Sequence, residues 1–413
     1  MFRRVVVSGV GAITPFGQSE NFFEHLVKGN SAIGELSAIA PELMSYCRIV
    51  GEVRDFEASD FVSAKNKTRM DRFIQMAVAA SSLARSDARL PDKFDQPERV
   101  GVSVGSAAGG FEAIENNFYR MLKRGPDKCS PFTVPMMIVN MASGWVSILQ
   151  GAEGYSSCLS TACATGSSAI GDAMRTIQLG QADVMFAGGA DAPITSLCMA
   201  GFASSKVLSG RNSDPAAASR PFDQERDGFV MSEGACVLVL EELEHAKARG
   251  ARIYAELVGF GCVSDAYDIT SPRQDGDGAK RAMLQAMSQA GWASNKIDYI
   301  NAHATSTLVG DRSEANAIRA VLGEHVSAVP VSATKSMTGH MLGAAGAIEA
   351  AICCLSIANG VIPPTINLHA VDPLCQLNHV ANVALKVPVE RAMSNSFGFG
   401  THNTALAFQR LVD

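Results

Sequence analysis

The sequence contains no Cys-x-x-Cys pair: its ten cysteines stand at 47, 129, 158, 163, 198, 236, 262, 353, 354 and 375. Zinc-ribbon and thioredoxin-type readings therefore have no support, and scattered thiols suit a reduced, cytosolic chain. Charge is scarce, at 18% of residues, and its balance is −6. A dedicated nucleic-acid binder is normally basic, so any basic patch here must be local. No run of about 18 apolar residues is present, so no membrane span is expected. The apolar Val5-Val6-Val7 is soon broken by Ser8, Gly9 and Gly11, which reads as a first strand and not as a signal peptide. The 37 glycines and 16 prolines show no triplet period, which excludes collagen and low-complexity classes. What remains is a folded chain of 413 residues, 47% hydrophobic, long enough for two or three domains or one large α/β unit.

Short apolar strands alternate with amphipathic helices. Strands are expected at 4–7, 100–104, 158–161, 184–187 and 235–240, with helices at 67–88, 166–179 and 241–249. A second round follows, with strands at 253–259, 297–301, 329–332, 393–397 and 405–411 and helices at 278–290, 311–322 and 343–357. The alternation predicts an α/β architecture with largely covered sheets. Two rounds of similar order suggest a duplicated fold divided near residue 250.

Four segments carry the chemistry. In Ser160-Thr161-Ala162-Cys163-Ala164-Thr165-Gly166 a strand runs into a helix through small residues. Cys163 reads as a nucleophile whose thiolate the helix N-terminus favours, or as a buried core cysteine. His303 ends the strand 297–301 and opens a small polar loop, where open α/β sheets place their sites; it also reads as a satisfied core histidine. Thr305 and Thr307 share one side of that loop, to hold an extended polar ligand or to cap the following helix. Lys335 and His340 lie in a glycine-rich loop with little else charged. A buried Lys335 needs a carboxylate partner, for which Glu314 is the candidate; the alternative is a turn with a solvent-facing lysine. In Asn395-Ser396-Phe397-Gly398-Phe399-Gly400 the glycines permit unusual backbone angles, so Phe399 could lend its N–H to an oxyanion hole and its ring to a gate, or simply sit in a hairpin.

Together these segments resemble the condensing enzymes of fatty-acid synthesis, the β-ketoacyl-acyl carrier protein synthases, and most closely the synthase II type. The resemblance runs from Val6-Val7-Ser8-Gly9-Val10-Gly11 through Ala187-Gly188-Gly189-Ala190 and Arg226-Asp227-Gly228-Phe229-Val230 to the Phe399 segment. Cysteine followed by two histidines is its most specific part; synthase III and chalcone-synthase relatives use Cys-His-Asn. The resemblance implies a thiolase-like fold: duplicated halves, 1–250 with the nucleophile and 251–413 with the two histidines, in a five-layer α-β-α-β-α sandwich, paired as a homodimer in the cytoplasm. It implies that Cys163 accepts the acyl group, and that His303 and His340 stabilise the enolate formed when malonyl-carrier protein loses CO2. It further implies that the N–H groups of Cys163 and Phe399 hold the oxyanion, that Lys335 with Glu314 fixes the charges, and that Thr305 and Thr307 contact the phosphopantetheine arm. No metal and no cofactor is implied. Phe397 and Ala108 are expected to line the acyl channel, and Lys65, Lys67, Arg69, Arg124, Lys128 and Lys206 to dock the acidic carrier protein. Five positions depart from the family pattern: Ala304 and Thr401 stand for the usual Gly, Leu308 for Pro, His402 for Thr, and Ala108 for a bulky aliphatic. A specialised polyketide synthase and a non-catalytic partner subunit share the outline, but the latter usually lacks the cysteine. A dinucleotide-binding oxidoreductase is disfavoured, because Thr14 stands where a Gly-x-Gly-x-x-Gly turn needs its third glycine.

Overall fold

The computed structural model describes residues 2–40 and 46–412. The first round holds β1 (Val5–Thr14), α1 (Arg72–Asp87), β2 (Val100–Gly105), α2 (Phe111–Arg124), β3 (Ser156–Ser157), α3 (Thr165–Gln178), β4 (Val184–Asp191) and β5 (Gly234–Glu242). The second holds β6 (Ala255–Ser264), α4 (Asp277–Ala290), β7 (Tyr299–Asn301), α5 (Leu308–Leu322), β8 (Pro330–Ser332), α6 (Ala345–Asn359), β9 (Arg391–Gly398) and β10 (His402–Gln409). Strands β1-β5-β4-β2-β3 lie side by side, the first two pairings antiparallel and the next two parallel. Strands β6-β10-β9-β7-β8 repeat that order and those senses. The two rounds therefore share one topology, and a short antiparallel pairing of Val6 and Val7 with Glu256 and Ala255 joins their first strands.

Period-two alternation sorts the side chains into layers. On β5, Val237 and Val239 pack under α1, while Cys236, Leu238 and Leu240 face a central core. On β10, Leu406 and Phe408 face the same central core, and Ala405 and Ala407 pack under α4 and α5. Ile170, Ala173 and Met174 of α3 and Ile348, Ala351 and Ile352 of α6 fill that central core from between the sheets. The result is five layers, with α3 and α6 in the middle. Their N-terminal ends meet where Gly166 passes Gly343: a Cβ on Gly166 would lie 2.7 Å from the Ala347 nitrogen and 2.9 Å from the Gly343 oxygen. That close approach requires glycine, and it brings the starts of both central helices to one place.

Several boundaries differ from the sequence expectation. The helix expected at 67–88 breaks into Ala64–Lys67 and α1, because the Asp71 carboxylate accepts the Phe73 N–H and caps a new start. The helix expected from 241 begins at Leu243, since β5 continues to Glu242, whose side chain then caps it. Residues 158–161 do not continue the sheet, which stops at β3, and they lead instead into the turn before α3. Helix α2 was not anticipated. The stretch Leu342–Asn359 is long and apolar enough to cross a membrane by length and composition, with mean hydropathy 1.6, yet 83% of it is buried inside the protein. It is the central α6 with its lead-in turn.

Candidate active site

Cys163 sits in a tight turn built by its neighbours. Thr165 Oγ1 accepts the Thr161 N–H at 2.9 Å and donates to the Ala162 carbonyl at 2.7 Å. Ala162 is forced to φ +50°, a conformation that residues with a Cβ seldom adopt. Against this turn lies Gly398, at the end of β9; a Cβ there would come within 2.5 Å of the Thr161 oxygen and 3.0 Å of the Cys163 nitrogen. Glycine is thus what lets the hairpin between β9 and β10 reach Cys163. It delivers the Phe399 N–H to the sulfur, where it and the N–H of Cys163 itself favour the thiolate.

Those N–H groups do not win. Cys163 opens on a cavity but lies deep beneath the surface, and burial pushes its pKa up to about 12; Asp191 adds to the rise, against the pull of Lys335 and the two N–H groups. The expected lowering by the helix end is therefore outweighed: α3 starts two residues later, and desolvation of a thiolate is the larger effect. The resting group is a neutral thiol.

Both histidines enter the same cavity, of about 330 Å³, lined also by Thr305, Thr307, Phe397, Phe399, Phe202, Phe229 and Lys206. Their rings are 5.5 Å apart and nearly perpendicular. His303 follows β7, and its ring packs on Phe397 at 5.6 Å. His340 is held by its backbone, with its N–H donating to Val230 O at 2.8 Å and its carbonyl accepting from Ser232 at 2.9 Å. Burial first, and the charge of Lys335 second, hold both imidazoles well below the usual histidine range, so both are neutral. Lys335 Nζ lies 3.4 Å from His303 Nδ1. An ammonium can only donate, so Nδ1 is the acceptor and the ring proton of His303 sits on Nε2.

Lys335 is 2% exposed, which removes the solvent-facing alternative. Its partner, however, is Glu349 of α6 and not Glu314: the two side chains form a short ion pair, each 2% exposed. Glu314 is occupied elsewhere. Its oxygens accept the N–H groups of His303 at 2.9 Å and Ala304 at 2.7 Å, and Asn395 Nδ2 at 3.0 Å. It fixes the backbone of the histidine loop while Glu349 balances the lysine. Burial raises both carboxyls to about 7 against these stabilising contacts. Sequence reasoning missed Glu349, although a lone acid in the apolar run 345–357 demands a buried cation. It also missed Asp191, at the end of β4, whose buried carboxylate accepts from Ser106 Oγ and from the N–H groups of Ala107, Ala108 and Gly343. This carboxylate ties a loop of the first half to the lead-in of α6.

Thr305 and Thr307 do face one side: their hydroxyls are 3.2 Å apart on the cavity wall. Thr307 precedes α5 without capping it through its side chain. Ala108 is not among the residues lining the cavity. The Asp191 clamp holds its N–H at 3.0 Å, and its side chain packs in the apolar cluster that includes Cys163 and Phe202. Of the candidate docking residues, Lys206 stands exposed at the cavity wall, and Lys65, Arg124 and Lys128 are exposed elsewhere. Lys67 is paired with Glu57 at 2.5 Å, and the Arg69 guanidinium lies over the Phe132 ring at 4.7 Å.

The comparisons with known proteins agree along the whole chain. The chain is 49% identical to a 3-oxoacyl-[acyl-carrier-protein] synthase 2 of Synechocystis over 409 residues, covering 99% of this chain and 98% of that protein. It is 46% identical to the synthase 2 of Vibrio harveyi, over 100% of this chain and 99% of the relative. A crystal structure of a β-ketoacyl synthase from Burkholderia phymatum superposes with TM-score 0.92 at 37% identity, over 99% of this chain and 100% of that one. A type II polyketide ketosynthase solved with its acyl carrier protein superposes with TM-score 0.92 at 35% identity, over 100% of each chain. The β-ketoacyl synthase N-terminal domain matches residues 2–246, around Cys163, and the C-terminal domain matches 254–369, around His303, Lys335, His340 and Glu349. With both domains matched and assembled around one cavity, the chain belongs to the β-ketoacyl synthase family.

Proposed function

We propose that this protein condenses an acyl group held on Cys163 with a malonyl thioester, both delivered on acyl carrier protein, giving 3-oxoacyl-acyl carrier protein, CO2 and free carrier protein in fatty-acid chain elongation. The observation that carries the reading is the convergence of Cys163, two neutral histidines and the Phe399 N–H on one cavity. In the first half-reaction the Cys163 thiol displaces the carrier thiol: an S–acyl bond forms, the carrier C–S bond breaks, and the proton passes to the leaving sulfur. The N–H groups of Cys163 and Phe399 stabilise the oxygen charge of that step. In the second, Nε2–H of His303 and the ring of His340 hydrogen-bond the malonyl thioester carbonyl. Loss of CO2 leaves an enolate that neutral donors stabilise in a dry site. Its carbon attacks the acyl-Cys163 carbonyl, the C–C bond forms, and the Cys163 sulfur leaves and recovers a proton.

Fatty-acid elongation is favoured over a specialised polyketide role because the relatives named synthase 2 are 46–49% identical, against 35% for the polyketide ketosynthase. The halves 1–250 and 251–413 act as one site, with the nucleophile from the first and the histidines from the second. The reading includes a cytoplasmic location and a homodimer. An apolar face supports the dimer: Phe118, Tyr119 and Leu122 of α2 and the nearby Val134 are at least half exposed, as if awaiting a second copy. Lys65, Lys67, Arg69, Arg124, Lys128 and Lys206 are the proposed carrier-protein contacts. The test is condensation of an acyl-carrier protein with malonyl-carrier protein. Wild type should release CO2 and 3-oxoacyl-carrier protein, and Cys163→Ala should form no 3-oxoacyl product. Condensation by Cys163→Ala near the wild-type rate would overturn the reading.

A further inference from the structure

The loop with Thr305 and Thr307 holds a shape that its own residues do not favour. Ser306, between them, has φ +74°, and three contacts pin it there. Its N–H donates to Asp311 Oδ1 at 3.1 Å, its hydroxyl accepts the Arg220 N–H at 3.0 Å, and its carbonyl accepts the Gly228 N–H at 3.1 Å. With Ser306 turned away and fully bonded, the flanking threonines face the cavity together.

Beneath the loop lies Arg226, whose side chain is fully buried and does not line the cavity. Its Nε donates to Thr307 O at 3.1 Å and its Nη2 to Leu308 O at 3.0 Å, while Nη1 reaches Asp223 O at 2.7 Å. Its charge is balanced by Asp311 at 3.3 Å and Asp372 at 3.0 Å, both buried. A guanidinium can grip two successive carbonyls and two carboxylates at once because its donors form a rigid planar fork; a lysine ammonium cannot. Arg226 belongs to the first half of the chain and Thr307 to the second, so the contact sets one half's loop from the other.

We propose that Arg226 is a positioning residue for the thioester's pantetheine arm, acting through the Thr305–Thr307 loop. This rests on the reading above that the threonines contact that arm. The loop shape is what orients the two hydroxyls, and a displacement on the order of 1 Å is enough to weaken a positioned contact severely.

The test uses the full-length protein with malonyl-pantetheine and with carrier-borne substrates. Arg226→Lys keeps the charge and loses the fork. It should raise KM about tenfold for both substrate types and leave kcat within about twofold. Thr307→Val should raise the same KM, and the double variant should be no worse than the poorer single one, since both act on one contact. Asp372→Asn, which loosens the guanidinium without deleting it, should give a smaller rise in KM and serves if Arg226→Lys does not fold. If Thr305→Val and Thr307→Val leave KM unchanged, the threonine reading fails and takes this inference with it. If they raise KM while Arg226→Lys and Asp372→Asn do not, or if the Arg226 and Thr307 effects multiply independently, the inference alone is overturned.

Discussion

Replacing Lys335 with Met should expose which carboxylate the lysine serves. The ion pair with Glu349 is almost wholly buried, both partners 2% exposed. Removing the lysine alone leaves a buried carboxylate without its cation, which costs about 3–5 kcal/mol. Removing both charges, in Lys335→Met with Glu349→Gln, leaves a neutral site of similar volume and should recover about 2–3 kcal/mol of that loss. The same lysine variant combined with Glu314→Gln should show little coupling, under about 1 kcal/mol, because Glu314 is held by two backbone N–H groups and Asn395. Urea unfolding of wild type, the three single variants and the two double variants measures both cycles. The catalytic consequence follows from the 3.4 Å contact of Lys335 with His303 Nδ1. Without the ammonium, the tautomer that puts the proton on Nε2 is no longer imposed, and the His303 pKa rises, because Lys335 is the second of three causes that depress it, after burial and ahead of His340. The pH dependence of malonyl decarboxylation should therefore lie at higher pH in the variant than in wild type, following the upward shift of His303. Equal coupling of Lys335 to Glu314 and Glu349, or an unchanged pH profile, refutes the reasoning.

Three further outcomes are expected. His303→Ala and His340→Ala should each depress malonyl decarboxylation far more than acyl loading of Cys163, read as CO2 release against protein-bound acyl group; equal losses would remove the histidines from the enolate step. Reversing charge at Lys65 and Arg69 should raise KM for acyl-carrier protein and steepen neither kcat nor turnover of small thioesters, since rim charges act on association and its salt dependence; parallel losses with both substrates reject the patch. Ala108→Ile overfills the apolar cluster shared with Cys163 and Phe202 and should disfavour long acyl chains by about 1–3 kcal/mol in kcat/KM; an unchanged chain-length profile shows that the acyl group does not reach this cluster.

The candidate site was legible because each of its groups stands where periodicity stops. Cys163 stands among small residues ahead of a helix, His303 follows the apolar strand β7 and precedes small polar residues, and His340 lies in a glycine-rich stretch, where the backbone leaves free N–H groups and open space. The duplicated order was legible for the same reason, and the sheets repeat it strand for strand. Pairings were not. Nothing in a one-dimensional pattern says that Lys335 reaches Glu349 along the central helix while Glu314 turns to the histidine backbone. That choice is made by packing α6 between the sheets. The thiol's state was misjudged because helix polarity is visible in sequence and depth is not: burial outweighs the N–H groups that face Cys163. Helix α2 escaped notice because its apolar residues Phe118, Tyr119 and Leu122 point outward, so they mark a surface and no core. Ala108 packs beside Cys163 and Phe202, outside the lining of the cavity, because its N–H is held by Asp191, a residue that gave no signal of its own.

The most direct test of the central claim is the mass of the protein after incubation with an acyl-carrier protein in the absence of malonyl substrate. The account predicts one acyl group per chain, lost on hydroxylamine treatment and located by peptide mapping on Cys163, with none on Cys163→Ala. An acyl group on any of the other nine cysteines, or its retention by Cys163→Ala, would contradict it.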